Sequence, residues 1–153
     1  MVIELGHSNG DVGAPHSPSS FAGLRAMVLL SVGPVPHEVS VPFHDSQVRQ
    51  AALLIQTGWD QKWGSEAYWE PGPYLGEHLI FRMVRSGVKL AGVDFPVSGR
   101  STQTRLIKSG KIAIVENLRD LASLPRLGFR FTAVPLESTV NDIVPVRAFA
   151  EVR

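Results

Sequence analysis

The chain contains no cysteine. Disulfides, thiolate zinc sites and cysteine nucleophiles are therefore excluded, and a reducing, cytoplasmic home is the expectation. No apolar run approaches the roughly 20 residues that a helix needs to cross a bilayer. The first residues carry Glu4 and lack a basic segment ahead of an apolar one, so no signal peptide is expected. Charge is sparse: charged residues are 19% of the chain and the net charge is +1, with no cluster of lysine and arginine. That argues against nucleic acid or a membrane surface as the partner. GxSxG is absent, and no glycine-rich phosphate loop follows a strand, so Ser31 and Ser109 have no motif that would make them nucleophiles.

What is present is a hydrophobic fraction of 44% over 153 residues, enough for one domain with a real core. Fourteen glycines and eleven prolines predict many turns and short strands. Residues 1–5 predict a short strand and residues 6–20 a polar loop. Residues 25–32 read as a buried strand. Residues 38–43 alternate, with Val39, Val41 and Phe43 on one face, which predicts a half-buried strand made edge-like by Pro42. A short helix over 47–50 and an apolar strand over 51–57 follow. Residues 73–85 give the best helix, with Pro73 in its first turn and Leu75, Leu79, Ile80, Met83 and Val84 as its apolar stripe. A strand over 88–95, a second helical pattern over 101–109, a helical connection over 117–125, and strands over 129–136 and 144–152 complete the chain. The strand–helix alternation between 51 and 115 predicts right-handed parallel crossovers, with antiparallel or mixed pairing outside them. The expected fold is α/β: a single domain spanning 1–153, a mixed β-sheet with helical crossovers.

The centre of this pattern is Ile112-Ala113-Ile114-Val115-Glu116-Asn117-Leu118. Its apolar, largely β-branched run predicts a strand buried on both faces. An ionised carboxylate at the end of such a strand is costly unless it is paired, hydrogen-bonded or bound to a metal. Glu116 is thus either a structural anchor or part of a site. Three other groups carry candidate chemistry. His7, Asp11 and His16 share one glycine-rich stretch, and imidazole with carboxylate suits zinc or manganese. His37 and His44-Asp45 are predicted to face opposite sides of their strand and so not to share an ion. Trp59, Trp63, Tyr68 and Trp69 gather in one loop, which would either line a pocket for an aromatic substrate or pack over a core edge or subunit interface. Asp94 and Arg147 are candidates for a buried structural pair.

Leu53-Leu54-Ile55-Gln56-Thr57-Gly58-Trp59, Tyr68, Pro73-Tyr74-Leu75, Gly92-Val93-Asp94, Ile114-Val115-Glu116-Asn117-Leu118, Leu124-Pro125, Gly128-Phe129 and Pro145-Val146-Arg147-Ala148 together resemble the putative cyclase family. These are the kynurenine-formamidase-like, metal-dependent hydrolases. The likeness runs over residues 51–150, with residues 1–50 divergent. It implies a swivelling β/β/α-like fold, hydrolysis of an amide, formamide or lactone, a zinc or manganese centre, a small-molecule amide-type substrate, and a homodimer or homotetramer. The family's loop His-x-Gly-Thr-His-x-Asp-x-Pro-x-His falls on residues 7–17, where His7 and Pro15 match. Asp11 stands at the second histidine, Gly13 at the aspartate and Ser17 at the last histidine, with His16 one place early. Gln103 takes the position of the histidine that partners Glu116. The resemblance therefore implies an eroded metal motif held by His7, Asp11 and Glu116, with His16 as the acid or base. Trp59, Trp63, Tyr68 and Gln103 fall on the substrate side. A non-catalytic relative, serving as a small-molecule-binding or oligomer-forming module, is the alternative.

Overall fold

A computed structural model of the chain describes residues 1–11, 21–33, 37–97, 112–135 and 143–153, with the backbone alone for 7–11 and 143–144. Seven strands close into a barrel in the order β1-β5-β4-β3-β2-β6-β7. They are β1 (Val2–Asp11), β2 (Leu24–Leu30), β3 (Ala52–Gln56), β4 (Leu90–Val93), β5 (Ala113–Glu116), β6 (Phe129–Pro135) and β7 (Ile143–Glu151). β3, β4 and β5 run parallel, as the strand–helix alternation between 51 and 115 predicts, and β2, which lies outside that alternation, also pairs parallel with β3. β1 pairs antiparallel with β5 and β7, and β6 pairs antiparallel with β2 and β7. Mixed pairing is what allows closure: the four parallel strands leave two edges, and the three outer strands join them, so no edge is exposed.

Two apolar clusters divide the barrel wall by strand parity. Leu5, Ala26, Val28, Ala52, Leu54, Leu90, Ala113, Val115, Phe131 and Ala148 belong to one. Met27, Leu53, Ile55, Ala91, Val93 and Ile114 belong to the other, together with Leu75 ahead of the covering helix and Leu79, Ile80 and Met83 within it. Ala52 to Ile55 of β3 thus alternate between clusters while all four are buried, which is why parallel strands read as unbroken apolar runs. α1 (Asp45–Val48) is a single turn. α2 (Glu77–Ser86) has Glu77 in its first turn and Arg85 in its last, matching the helix dipole. It stops at Gly87, which takes φ 81. No helix among the described residues is long and apolar enough to cross a membrane.

The structure corrects several local expectations. Residues 6–11 are strand, not loop. Their backbone pairs with β7 along its length and with β5 at Asn9–Asp11, so the ladder does not need apolar side chains there. The register shifts between Glu4 and His7, and Gly6 sits in that bulge at φ 93. Its left-handed backbone selects glycine, and a Cβ there would meet the Arg119 guanidinium at 2.7 Å, the far end of a flexible side chain that can move aside. Residues 38–43 form no ladder. Glu38 makes one isolated parallel bridge to Tyr74, while Val39, Val41 and Phe43 are buried, so the alternation reports packing and not pairing. That same bridge holds Tyr74 extended and delays α2 until Glu77, leaving Pro73 outside its first turn. Val84 is partly exposed and does not join the stripe. The connection after β5 is helical only as a 3-10 turn at Leu121–Ser123. The helix expected over 101–109 lies outside the described residues.

Candidate functional site

The polar groups of interest converge where β3, β4 and β5 end. Parallel strands, in open sheets and in closed barrels alike, carry ligand sites at their carboxyl ends, because the backbone there turns away and frees the ends of several elements at once. β3 ends at Gln56 and hands on to Thr57, β4 ends at Val93 and hands on to Asp94, and β5 ends at Glu116 itself. Asp94 is fully buried. Its Oδ1 accepts the Thr57 hydroxyl at 2.6 Å, and its Oδ2 accepts the backbone N–H groups of Thr57 and Gly58, each at 2.9 Å. Burial raises the Asp94 carboxyl above the usual carboxylate range, and these three donors oppose the rise. Asp94 is therefore a strand-end clasp. Arg147, its expected partner, instead pairs with Glu4 on the partly exposed β1–β7 surface.

Glu116 is 5% exposed. Asn117 Nδ2 donates to Glu116 Oε1 at 3.2 Å, and the Tyr68 hydroxyl donates to Asn117 Oδ1 at 2.6 Å. Tyr68 is fully buried. Burial pushes its phenol well above the usual range, and the nearby Asp94, Glu116 and Asp60 carboxylates push it further, so it stays protonated and a donor. Trp59 fixes the strand-end loop by donating its indole N–H to the Tyr68 carbonyl at 2.9 Å. Trp63 and Trp69 meet the Tyr68 ring at 5.0 and 4.9 Å, both near perpendicular. Arg119 lies 5.0 Å over the Trp63 ring, and so connects the β1 bulge to the aromatic loop. Trp63 and Trp69 are exposed, at 39% and 62%.

The ladder between β1 and β5 gives the remaining geometry. Asn9 stands opposite Glu116, and Asp11 opposite Ile114. His7 and Asp11 are each two positions from Asn9 along β1, so His7, Asn9 and Asp11 share one parity. Their side chains lie outside the description, as do His16 and Gln103 altogether. Among the described residues no group of three or more histidine, aspartate or glutamate side chains could hold a metal ion. His37 sits at φ 67 with its ring edge-on to Trp59 at 5.8 Å, and His44 receives the Gln47 carboxamide oxygen at its backbone N–H, so the two serve separate turns. Two surface clefts, of about 200 and 510 Å³, lie beside α2 and beside the chain termini; neither is lined by Glu116, Asn117 or Tyr68.

The Thr57–Asp94 clasp and the Tyr68–Asn117–Glu116 chain were not anticipated from the sequence. One signal was there: three successive apolar strands each end on a polar residue, Gln56-Thr57, Asp94 and Glu116. In a parallel arrangement such ends must meet at one rim.

A family model described as Putative cyclase matches residues 37–98, the stretch from the Glu38 bridge through the aromatic loop, α2, β4 and Asp94. Over that stretch the chain is similar to the cyclase family. The uncharacterized protein MJ0783 of Methanocaldococcus jannaschii is 31% identical over 99 residues, 64% of this chain and 52% of that protein. The chain thus spans about half the length of this curated relative. Solved structures share the cyclase fold. Isatin hydrolase A from Ralstonia solanacearum superposes at a TM-score of 0.72 with 15% identity, covering 98% of this chain and 80% of that one. A potential metal-dependent hydrolase with cyclase activity superposes at 0.68 with 15% identity, covering 94% and 76%. An isatin hydrolase bound to the product analogue thioisatinate gives 0.70 at 14% identity, covering 94% and 70%.

Proposed function

We propose that this chain is a cyclase-family, metal-dependent hydrolase of an amide, formamide or lactone carbonyl, with a metal site reduced to His7, Asp11 and Glu116. The observation that carries it is the β1–β5 register. Directly opposite ladder positions lie about 5 Å apart and diagonal ones about 7–8 Å, a span that two side chains sharing one ion can bridge. Glu116 opposes Asn9, and His7 and Asp11 flank Asn9 at diagonal positions. The donor set, one imidazole and two carboxylates, fits zinc or manganese. A bound Zn²⁺ or Mn²⁺ supplies a Lewis acid and a water acidic enough to attack a carbonyl carbon at neutral pH.

The chain's own residues do the rest. Glu116, His7 and Asp11 would hold the ion, and His16 would serve as the acid or base, accepting a proton from the attacking water and returning it to the leaving nitrogen or oxygen. Trp59, Trp63, Tyr68 and Gln103 bound the substrate side, with the exposed edge of Trp63 as the aromatic contact. The relatives fit this chemistry: one structural neighbour is a potential metal-dependent hydrolase and others are isatin hydrolases. The chain works as a cytoplasmic homodimer or homotetramer. A second reading, a non-catalytic binding or oligomer-forming relative, draws on the aromatic loop: the Trp59 N–H and Tyr68 hydroxyl are engaged by Tyr68 and Asn117 within the protein, which leaves Trp63 and Trp69 as an apolar surface.

Metal analysis of the chain purified without added metal tests the hydrolase reading. Retention of a substantial fraction of an equivalent of zinc or manganese, lost in Glu116→Ala, is expected. Less than about a tenth of an equivalent per chain overturns it, because a working centre binds far tighter than trace availability.

A further inference from the structure

We propose that Tyr68 and Asn117 form a positioning relay that fixes the orientation of the Glu116 carboxylate at the end of β5. In the hydrolase reading above, on which its functional meaning rests, the relay aims a metal-holding carboxylate. The polarity of the hydrogen bonds carries the inference. The Tyr68 hydroxyl has one proton, and it points at Asn117 Oδ1 at 2.6 Å. Asn117 Nδ2, on the other side of the carboxamide, faces Glu116 Oε1 at 3.2 Å. A flipped amide would set its oxygen against the acceptor-only Glu116 carboxylate, whereas the Tyr68 hydroxyl can donate or accept, so the carboxylate fixes the turn of the amide and the hydroxyl completes it by donating to Oδ1.

Each member is held from behind. Tyr68 is enclosed by the Trp63 and Trp69 rings, and its carbonyl accepts from the Trp59 indole. The Asn117 backbone sits at φ 62, a conformation that asparagine tolerates better than other side chains, with its N–H donating to Phe95 O at 3.3 Å. All three residues are at most 5% exposed, so the exchange of these bonds for water is suppressed. A neutral donor at one carboxylate oxygen orients the group while leaving its charge for a cation. Hydrogen-bonded carboxylates of this kind are how proteins set the aim of a metal ligand, and loss of such a partner costs about 10–100-fold in metal affinity. Aspartate at position 117 would lack the donor and add repulsion.

The test combines a metal-free readout with a metal titration. In the metal-free protein, the NMR signal of the Asn117 side-chain amide is followed in the wild type, Tyr68→Phe and Glu116→Gln. Manganese binding is measured by calorimetry in the wild type, Tyr68→Phe, Asn117→Ser and their double variant, each checked for a cooperative melt. The amide signal should move in both Tyr68→Phe and Glu116→Gln. Manganese affinity should fall about 10–100-fold in each single variant, and the double variant should be no weaker than Asn117→Ser, because the two act in one chain. An amide signal unmoved in Glu116→Gln overturns the relay. A folded Tyr68→Phe with wild-type manganese affinity overturns its positioning role, and Asn117→Ser carries the same comparison if Tyr68→Phe does not fold. A wild type that binds no manganese or zinc overturns the hydrolase reading, and the amide signal then decides the relay by itself.

Discussion

Thr57 and Asp94 clasp the ends of two neighbouring parallel strands: the threonine hydroxyl gives its proton to Asp94 Oδ1 at 2.6 Å while its own N–H donates to Oδ2 at 2.9 Å. The same hydroxyl oxygen accepts the Trp59 N–H at 3.2 Å, so the clasp also seats the first residue of the aromatic loop. Closure of β3 onto β4 and placement of Trp59 are therefore one event. Thr57→Val keeps the branched shape and removes only the hydroxyl. A hydrogen bond to a charged group contributes about 1.5–3 kcal/mol, so the variant should lose about 2 kcal/mol in urea unfolding at an unchanged m-value. A loss below a few tenths would show that the backbone amides alone satisfy Asp94.

Asp94 also predicts a pH dependence. Burial raises its carboxyl in the folded state above the ordinary unfolded value. Between those two values the native protein holds the proton that the unfolded chain releases. The contribution of this group is therefore fully present below the unfolded value and is lost as pH rises through the folded one. Asp94→Asn cannot titrate. The stability of wild type minus that of Asp94→Asn should be largest at acid pH, shrink as pH climbs through the raised value, and level off above it. Urea unfolding across pH measures this; a difference that grows with pH would mean that the three donors outweigh burial.

Gly72 is the floor beneath Trp59. A Cβ there would sit 2.5 Å from Trp59 Cζ2, and the indole cannot swing aside without leaving the Tyr68 carbonyl. Gly72→Ala should cost about 1–3 kcal/mol as an overpacking change. It should also shift tryptophan emission to the red as Trp59 opens to water. Unchanged emission with unchanged stability would show that the loop gives way freely.

How much of this was legible in the sequence follows from how local each signal is. β2 to β5 announce themselves because strands buried on both faces need unbroken apolar runs, and Glu116 stands out because it interrupts one. The second half of β1 is illegible: its pairing uses backbone groups, and Gly6 through Asp11 look like a polar loop until their neighbours are known. Residues 38–43 mislead in the other direction, since Val39, Val41 and Phe43 alternate in order to pack and not to pair. The clasp and the relay join residues 37 and 49 positions apart, Thr57 to Asp94 and Tyr68 to Asn117, so no window of sequence contains them. The apolar run marked the strand-end glutamate and the family resemblance gave it a role, but the tyrosine that reaches it through Asn117 emerges only from the closed barrel.

Asn117 offers a way to separate backbone from side chain at this rim. Its φ of 62 lies in the left-handed region, where glycine is at ease. If the residue served only the turn after β5, Asn117→Gly would be neutral or slightly stabilising, by up to about 1 kcal/mol. The structure gives the side chain two bonds, from the Tyr68 hydroxyl and to Glu116 Oε1, both buried. Glycine removes both and leaves a protonated phenol without its acceptor, a loss of about 1–3 kcal/mol for that group. The penalty should exceed the backbone gain, so Asn117→Gly should be net destabilising. Tyr68→Phe, made in the Asn117→Gly background, should then recover part of the loss, because it removes the stranded hydroxyl. Thermal melts of the two single variants and the double variant decide the matter: a double variant no more stable than Asn117→Gly would mean that the phenol finds another partner once Asn117 is gone.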